Sequence, residues 1–243
     1  MCCSPEAYCE DARTPLQPER KLILCYVTDR RALERACPPS TGGPLSKNIG
    51  TDSVQGLLEA IGKAATAGIN WIQIREKDLE ARALAELVRL ACAATRETGA
   101  SILVNDRLDV ALAAGAAGVH LRETSLPVET VAEWRRSAGR MEFRIGVSCH
   151  SLEAARAADG AGANYIFFGP VFATPSKAAF GAPQGIERLR EVCRSVRVPV
   201  LAIGGVTVEN AHSCFAAGAA GVAAIRLFQE SQDVAAVVNR LRE

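Results

Sequence analysis

The chain lacks several features that would assign it at once to a class of protein. No apolar run approaches the roughly 20 residues that a membrane-spanning helix needs. Residues 1–20 are acidic and contain proline, and because they include no apolar central region they do not form a signal peptide. The net charge of +1 gives no general attraction to nucleic acid or to an anionic membrane. These absences favour a soluble, cytoplasmic protein without nucleic-acid or membrane partners.

Common catalytic and metal-binding motifs are also missing. The sequence has no Walker loop, no dinucleotide-binding fingerprint and no nucleophile elbow at a suitable place. The three histidines, His120, His150 and His212, show neither HxH nor HExxH spacing, so a zinc-binding trio is not indicated. None of the nine cysteines forms a CxxC pair. Buried, reduced thiols are therefore favoured over a disulfide framework.

Eight short apolar runs, each ending in a polar or glycine-containing segment, dominate what is present. Stretches of helical composition separate them, so strand and helix alternate, and this order predicts a parallel sheet. A length of 243 residues fits one (β/α)8 TIM barrel. An open doubly wound sheet is the alternative. The predicted strands span 21–28, 70–75, 101–105, 118–121, 143–148, 164–169, 199–205 and 221–226.

Two segments are expected to differ from the regular barrel, which would occupy residues 21–243. Residues 1–20 are predicted to be a disordered tail. Residues 30–51 contain a cluster of prolines and glycines that opposes regular structure. A loop of this length after the first strand would cover the barrel mouth, so we interpret it as a lid. Residues 81–98, by contrast, have the apolar spacing of an amphipathic helix.

Alternating polar side chains follow the second predicted strand in the sequence QIREKD. Gln73, Arg75 and Lys77 share one face of an extended chain. Such a group at a barrel mouth suits a diphosphate, because Arg binds its oxygens bidentately and Lys adds a point charge. An ordinary loop whose charge is neutralised by Glu76 and Asp78 is the alternative interpretation.

Further polar residues follow the third and fifth predicted strands. Asn105 and Asp106 end the third strand, and Asp106 could hold Mg²⁺, a cation that prefers oxygen ligands. It could equally cap the helix that follows. Ser148 and His150 come at the end of the fifth strand. His150 could act as a general acid or base, or simply precede the next helix.

Loops rich in glycine and hydroxyl groups follow the last three predicted strands. The loop after the sixth strand brings Thr174, Ser176 and Lys177 close together, a suitable phosphate cradle, although an ordinary loop could share this composition. Gly205 follows the seventh strand and Arg226 ends the eighth. Phosphate sites recur in these two loops of TIM barrels. Two anion sites at one mouth suggest one substrate with a diphosphate and one with a monophosphate.

These segments resemble a known family, the thiamine phosphate synthases with the related thiazole tautomerases. The resemblance rests on YVTDR, QIREKD, NDRLDVALAAGAAGVHL, IGVSCHS, GPVFATPSK and AIGGVTVEN, and it runs from about Leu22 to Leu241. It implies a transferase that joins hydroxymethylpyrimidine diphosphate to a thiazole phosphate carboxylate. Pyrophosphate would leave first, and the thiazole nitrogen would capture the resulting cation.

The resemblance also implies roles for individual residues. Arg75, Ser148 and Lys177 would be catalytic, and Asp106 would bind the cofactor Mg²⁺. The pyrimidine diphosphate would be bound by Gln73, Arg75, Lys77, Asn105, Ser148 and Lys177. The thiazole phosphate would be bound by Thr174, Ser176, Gly205, Ile225 and Arg226.

Two positions depart from the family pattern. After the fourth strand the family has Gly-Gln-x-Asp, whose Asp is a second Mg²⁺ ligand, whereas this chain has Arg122 first and Ser125 at the Asp position. The loss of a carboxylate predicts weaker metal binding unless Glu123 or water replaces it. The serine that usually follows Ile225 is Arg226, a larger and charged donor.

Two other functions stay open. Thiazole tautomerases share this barrel and use a histidine after the fifth strand, where His150 lies. A non-catalytic barrel that binds phosphorylated ligands is the third interpretation. Retention of Lys77, Asp106 and Lys177 favours the synthase, because a tautomerase has no evident need for a diphosphate-binding set. Association of copies through the outer helices, giving a homo-oligomer, is also compatible with the sequence.

Overall fold

Eight parallel strands close into a barrel in the computed structural model, which describes residues 22–36, 49–174 and 182–243. Each strand pairs with the next along the chain, and β8 pairs with β1. The predicted TIM barrel is therefore confirmed, and the open doubly wound sheet is excluded. The strands are β1 Ile23–Val27, β2 Trp71–Ile74, β3 Ser101–Asn105, β4 Gly118–Leu121, β5 Arg144–Cys149, β6 Tyr165–Phe168, β7 Val200–Ile203 and β8 Gly221–Ala224.

Helices alternate with the strands and cover the outside of the barrel. The predicted amphipathic helix is α3, which buries Leu84, Leu87, Val88 and Ala91 against the sheet. The helices are α1 Arg30–Ala36, α2 Ile49–Thr66, α3 Ala81–Thr95, α4 Leu108–Ala114, α5 Val128–Ser137, α6 Leu152–Ala161, α7 Gly185–Ser195, α8 Val208–Ala216, α9 Arg226–Gln229 and α10 Val234–Arg242.

The segment between β1 and β2 differs from its prediction. Residues 30–36 form α1, and α2 begins at Ile49. The prediction that residues 30–51 lack regular structure was therefore wrong at both ends of this range. The basic and apolar composition of RRALERA is compatible with a helix, and the prolines begin only after it. The remaining residues of the predicted lid, 37–48, and the predicted tail, residues 1–20, lie outside the described residues.

The end of the eighth strand also differs from its prediction. β8 ends at Ala224, because Ile225 leaves the extended conformation with φ −90° and ψ −75°. The sequence predicted that Arg226 ends the strand, but Arg226 is the first residue of α9. Ile225 and Arg226 thus lie on the turn from strand to helix, where backbone N–H groups have no helical acceptor.

Two apolar cores follow from the alternation of side chains along each strand. One lies between the sheet and the helices and holds most of the buried residues. The other fills the barrel interior and is made by Cys25, Val27, Leu103, Tyr165, Phe167, Leu201 and Ala223. Because side chains fill this interior, the barrel has no open pore, and polar chemistry is confined to its rim.

Within the described ranges, three cysteines are buried, as predicted, and Cys92 and Cys193 are only partly buried. Cys25, Cys92, Cys149, Cys193 and Cys214 are all free. Burial raises the pKa of Cys149 to about 12 and that of Cys193 to about 11, so both thiols stay protonated and unreactive near neutral pH. Among the described helices, none combines the length and the apolar character that crossing a membrane requires.

Candidate active site

Polar side chains from neighbouring strands meet near the carboxyl end of the barrel. Gln73 lies on β2, Asn105 ends β3, and His120 on β4 is paired in register with Asn105. Gln73 Nε2 donates a hydrogen bond to Asn105 Oδ1 over 2.9 Å. The carboxyl ends of the strands are where the active sites of TIM barrels lie. The structure thus brings together Gln73 and Asn105, as the sequence predicted.

Gln73 retains one hydrogen-bonding atom without a partner. Its side chain is only 2% exposed, and its Oε1 has no donor among the described residues. A buried acceptor left in this state costs about 1–3 kcal/mol, and folded proteins rarely contain one. An N–H group of a bound molecule would satisfy it. Gln73 Oε1 is therefore a buried acceptor that the described residues leave unsatisfied.

A buried histidine connects Ser148 to the aromatic interior. His120 Nε2 lies 2.9 Å from Ser148 Oγ, and His120 Nδ1 lies 3.0 Å from Tyr165 Oη. Burial lowers the pKa of His120 to about 3, although the charge of Asp106 opposes this shift. The imidazole is therefore neutral at physiological pH and carries one N–H. It donates to one hydroxyl and accepts from the other, which fixes the orientation of Ser148.

Arg75 follows β2 directly, and its backbone N–H donates to Thr28 Oγ1 over 3.0 Å. Its guanidinium has no hydrogen bond or ion pair within the part of the chain that the structure describes. Five N–H donors and a full positive charge are thus available at the rim. Arg75 follows the end of β2, and its anion-binding role stays a prediction from the sequence.

The acidic neighbours of Arg75 are engaged elsewhere. Glu76 is buried, and its carboxylate accepts hydrogen bonds from Thr28 Oγ1 over 2.6 Å and from the Arg30 backbone N–H over 3.1 Å. Burial raises the pKa of Glu76, and these hydrogen bonds partly counter the shift. Asp78 pairs with Arg30 over 2.5 Å. Both carboxylates therefore hold the β1–α1 segment in place and do not neutralise Arg75.

Asp106 has an uncommon backbone conformation directly after β3. Its φ of 62° lies in the left-handed region, which residues with a side chain seldom adopt. Its backbone N–H donates to the His120 carbonyl over 2.8 Å, which ties it to β4. Arg107, and not Asp106, occupies the N-cap position of α4. The alternative role of Asp106 as a helix cap is therefore not observed.

The carboxylate of Asp106 is occupied by two residues of the β4–α5 loop. Arg122 Nε donates to Oδ2 over 2.7 Å, and Arg122 Nη2 forms an ion pair with the same oxygen. Ser125 Oγ donates to Oδ1. The Arg122 backbone N–H also donates to Ser125 Oγ over 3.0 Å, so the loop is closed on itself.

This donor set does not fit a magnesium ion held by protein ligands. Mg²⁺ is usually bound through one or two carboxylates that present open oxygen atoms, whereas both oxygens of Asp106 accept hydrogen bonds and one faces a guanidinium. Within the described ranges, no group of three or more His, Cys, Asp or Glu side chains could hold a metal ion. Glu123, the expected substitute, is exposed, and Arg122 contacts Asp106 instead. The Mg²⁺ requirement stays a prediction of the resemblance.

A cavity of about 240 Å³ opens beside the Asp106–Arg122 pair. Its lining carries three cations, Lys77, Arg107 and Arg122, against the two carboxylates of Glu76 and Asp106. Arg107 is paired with Asp109 over 2.6 Å and Arg122 with Asp106, so these two guanidinium charges are already partly compensated. Lys77 lies in this lining, and its role beside a diphosphate stays a prediction from the sequence.

The loops after β6 and β7 pack directly on each other. Gly204 and Gly205 have φ values of 93° and 66°. A Cβ atom on Gly205 would lie 2.5 Å from the Ala173 carbonyl oxygen, and one on Gly204 would lie 2.6 Å from Pro170 Cα. Only glycines permit this contact, which places Gly205 beside the segment that leads to Thr174. These two predicted phosphate-binding residues are therefore brought together.

The other residues predicted for the second anion site are Ile225, Arg226 and Ser176. β7 pairs with β8, so the turn at Ile225 and Arg226 adjoins the loop that carries Gly205. Ser176 and Lys177 lie outside the described residues, and their roles stay predictions from the sequence.

The sequence interpretation missed two features of the site. It did not predict the contact of His120 with Ser148, and it did not name Tyr165 as a site residue. The inward position of a histidine in the apolar strand GVHL was the available signal, but its partners come from β5 and β6. His150, the alternative acid or base, is exposed, and its Nδ1 contacts the Gly169 carbonyl. His212 is exposed on α8, as expected for a helix-surface residue.

Known proteins are similar to this chain in sequence and in fold. Residues 49–228 match the family model described as thiamine monophosphate synthase. A thiamine-phosphate synthase of Moorella thermoacetica is 42% identical over 186 residues, which cover 76% of this chain and 87% of that protein. One of Methanoregula boonei is 45% identical over 180 residues, covering 74% and 82%.

A solved structure agrees with these sequence matches. The thiamine phosphate pyrophosphorylase of Pyrococcus furiosus superposes with a TM-score of 0.73 at 33% identity, and the match covers 92% of this chain and 95% of that one. The family model spans most of the sequence, and relatives above 40% identity align over about three quarters of it. The chain therefore belongs to the thiamine monophosphate synthase family.

Proposed function

We propose that this chain joins hydroxymethylpyrimidine diphosphate to a thiazole phosphate or its carboxylate, giving thiamine phosphate and pyrophosphate, with the carboxylate, where present, leaving as CO2. The observation that carries the proposal is the rim at the carboxyl ends of β2 to β5. There a Gln73 acceptor and an Arg75 guanidinium without partners among the described residues lie with Asn105 and Ser148, in a chain of the thiamine monophosphate synthase family. The chain is thus a transferase that acts on small phosphorylated substrates.

The pyrimidine would be recognised by the amide pair on β2 and β3. Gln73 Oε1 needs a donor, and an N–H of the pyrimidine substrate would supply it. The bond from Gln73 Nε2 to Asn105 fixes which end of the Gln73 amide faces the ligand. A fixed acceptor selects for a substrate that carries a donor, because a substrate without one would leave the buried oxygen unpaired.

The diphosphate would be bound by cations around the same rim. Arg75, Lys77 and Lys177 can compensate its negative charge, and Ser148 Oγ can donate a neutral hydrogen bond. When the bond between the methylene carbon and the diphosphate oxygen breaks, its electron pair stays on the leaving group. Preorganised cations lower the barrier because this negative charge grows in the transition state.

The neutral state of His120 suits the cation that this step leaves behind. The pyrimidine methylene carbon becomes positively charged once the diphosphate departs. A protonated imidazole beside it would repel that charge, whereas burial keeps the pKa of His120 at about 3. His120 acts as a positioning residue: it orients Ser148 without adding charge to the site.

The thiazole phosphate would bind at the loops after β6, β7 and β8. Thr174, Ser176, Gly205, Ile225 and Arg226 are the residues proposed to contact it. Backbone N–H groups at the start of α9 and a close glycine turn are features that accept a phosphate. With its phosphate held there, the thiazole nitrogen could attack the methylene carbon across the mouth and form the new C–N bond.

The direct test supplies purified protein with both substrates and excess Mg²⁺ and follows thiamine phosphate by chromatography. Formation of thiamine phosphate and pyrophosphate in equal amounts supports the proposal. Conversion of one thiazole carboxylate isomer into the other, without thiamine phosphate, would support the tautomerase with His150. Ligand binding without either reaction would support the non-catalytic barrel, and both results overturn the proposal.

A pair of variants tests the residues proposed to carry the reaction. Lys177→Ala should lower kcat by about 10²-fold or more, the loss typical of one stabilising group in a transition state. Arg240→Gln is the matched control, because Arg240 pairs with Glu209 on exposed surface between α8 and α10. Equal kcat in the two variants would contradict the role of Lys177.

Location and assembly complete the proposal. A cytoplasmic location fits the free cysteines of the described ranges, since a reducing compartment keeps thiols unpaired. Fractionation of cells that express the protein tests this location.

Assembly into a homo-oligomer through the outer helices is tested by sedimentation, and a single species of 25.7 kDa would exclude a homo-oligomer.

A further inference from the structure

The contact between Arg122 and Asp106 is the starting point. It joins the loop after β4 to the end of β3 through two N–H groups of one guanidinium. Asp106 cannot easily move away, because its backbone is bonded to β4 and held at a φ of 62°. The position of the Arg122 guanidinium is therefore set by the rigid end of a barrel strand.

The exposed part of Arg122 faces the cavity at the rim. Its side chain is 54% exposed and lines the same cavity as Lys77 and Asn105. A guanidinium has five N–H donors in a planar fork. Asp106 takes the Nε donor and one donor of Nη2, so the other donors of Nη1 and Nη2 are available to a ligand.

We propose that Arg122 takes the charge-neutralising place of a metal ion at this mouth, so that the chain binds diphosphate without Mg²⁺. This inference rests on the proposed function and concerns how that site holds its anionic substrate. The two substitutions act together. Ser125 has no negative charge with which to bind a cation, and it donates to Asp106. Arg122 then places a permanent positive charge where the lost carboxylate would have favoured a metal.

The chemistry of the guanidinium supports this exchange. The guanidinium carries a delocalised positive charge, and its planar fork matches two phosphate oxygens at once. A metal ion and a guanidinium therefore meet the same demand, positive charge beside diphosphate oxygens, through different donors. The Asp106 carboxylate serves as the anchor that orients the fork and not as a ligand.

The experiment measures binding of inorganic pyrophosphate by calorimetry, with EDTA and with excess Mg²⁺. The wild-type Kd should be the same in the two buffers within about threefold. With EDTA, Arg122→Gln should weaken binding by about tenfold or more, the loss expected for a charge-assisted hydrogen bond to phosphate. Arg240→Gln is the control and should leave both values unchanged.

A second variant restores the carboxylate that the family has at position 125. Arg122→Gln combined with Ser125→Asp removes the guanidinium and returns a carboxylate beside Asp106. Its pyrophosphate binding should become dependent on Mg²⁺, and it should bind Mn²⁺, followed by electron paramagnetic resonance, more tightly than the wild type by about tenfold. Both readouts are independent of turnover.

Three results would overturn the inference: Mg²⁺-dependent pyrophosphate binding by the wild type, unchanged binding with Arg122→Gln, or equal Mn²⁺ affinity of the wild type and the double variant. Failure here is distinguishable from failure of the proposed function. If thiamine phosphate forms but wild-type pyrophosphate binding needs Mg²⁺, only this inference falls. If none forms but pyrophosphate binding in EDTA depends on Arg122, the anion site stands and the synthase assignment falls.

Discussion

Gly146 should be one of the least replaceable residues of the barrel. It lies on β5, with Tyr165 of β6 paired opposite in register. A Cβ atom at position 146 would lie 2.0 Å from Tyr165 Cζ and 2.3 Å from Tyr165 Oη. Ordinary contact begins at 3.4 Å, so the ring would have to move by about 1.4 Å. The ring is fully buried and contacts the rings of Trp71 and Phe167.

The cost of Gly146→Ala has two parts. Overpacking a filled core costs about 1–3 kcal/mol. Displacing the ring also breaks the 3.0 Å contact between Tyr165 Oη and His120 Nδ1, and a buried polar pair left unsatisfied costs about 1–3 kcal/mol more. The sum is about 2–6 kcal/mol, which for a protein of this size lowers Tm by about 4 °C or more. Since His120 orients Ser148, kcat should fall as well.

Thermal unfolding followed by circular dichroism measures the effect, and Gly160→Ala is the matched control. Gly160 lies in α6, and a Cβ atom there would meet nothing within 4 Å. Because alanine is better than glycine inside a helix by about 0.5–1 kcal/mol, the control should keep or raise Tm. A Tm of Gly146→Ala equal to that of Gly160→Ala would refute the packing argument.

Three further predictions concern buried polar groups. The pKa of His120 is about 3 in the folded protein and near 6.5 in the unfolded chain, so its contribution to stability is present above pH 6.5 and is lost as the pH falls toward 3. Urea titrations should show a smaller loss of stability at low pH for His120→Gln than for the wild type. An equal loss would contradict the assignment of this pH dependence to His120. The pKa of Glu76 is raised, so stability should fall as pH rises through it, and Glu76→Gln should lack this fall in the same titrations. Gln73→Met should raise KM for the pyrimidine diphosphate about tenfold, because the substrate donor loses its acceptor; an unchanged KM would count against the role of Gln73 Oε1.

The fold was predictable because period-two apolar runs and amphipathic stretches alternate along the whole chain. β3 and β4 have their predicted bounds, since polar or glycine-containing segments adjoin both strands. β8 was predicted two residues too long, because Ile225 continues the apolar pattern and nothing local signals its helical ψ of −75°. The same lack of a signal affected α1, where the prolines and glycines after residue 37 outweighed a short helical composition before them.

The site was predictable where it depends on alternation within one strand. The common face of Gln73 and Arg75 follows from the spacing alone. The engagement of Glu76 by Thr28 could not be predicted, because it requires the relative position of the loops after β1 and β2. The contact of Arg122 with Asp106 likewise depends on where two loops end in space. Glu123 was the expected replacement because charge type, and not position, was the information available.

Stability and chemistry share the same residues at the upper end of this barrel. Tyr165 contributes its ring to the interior core and its hydroxyl to His120, and His120 in turn contacts Ser148 at the rim. A substitution of Tyr165 or His120 should therefore change both the packing of the interior and the orientation of Ser148, a proposed catalytic residue. Arg122 and Asp106 are different, because the guanidinium is more than half exposed and lies outside both cores. Anion binding can therefore change at Arg122 without loss of the fold, which explains physically how a guanidinium could replace a metal-binding arrangement in this barrel.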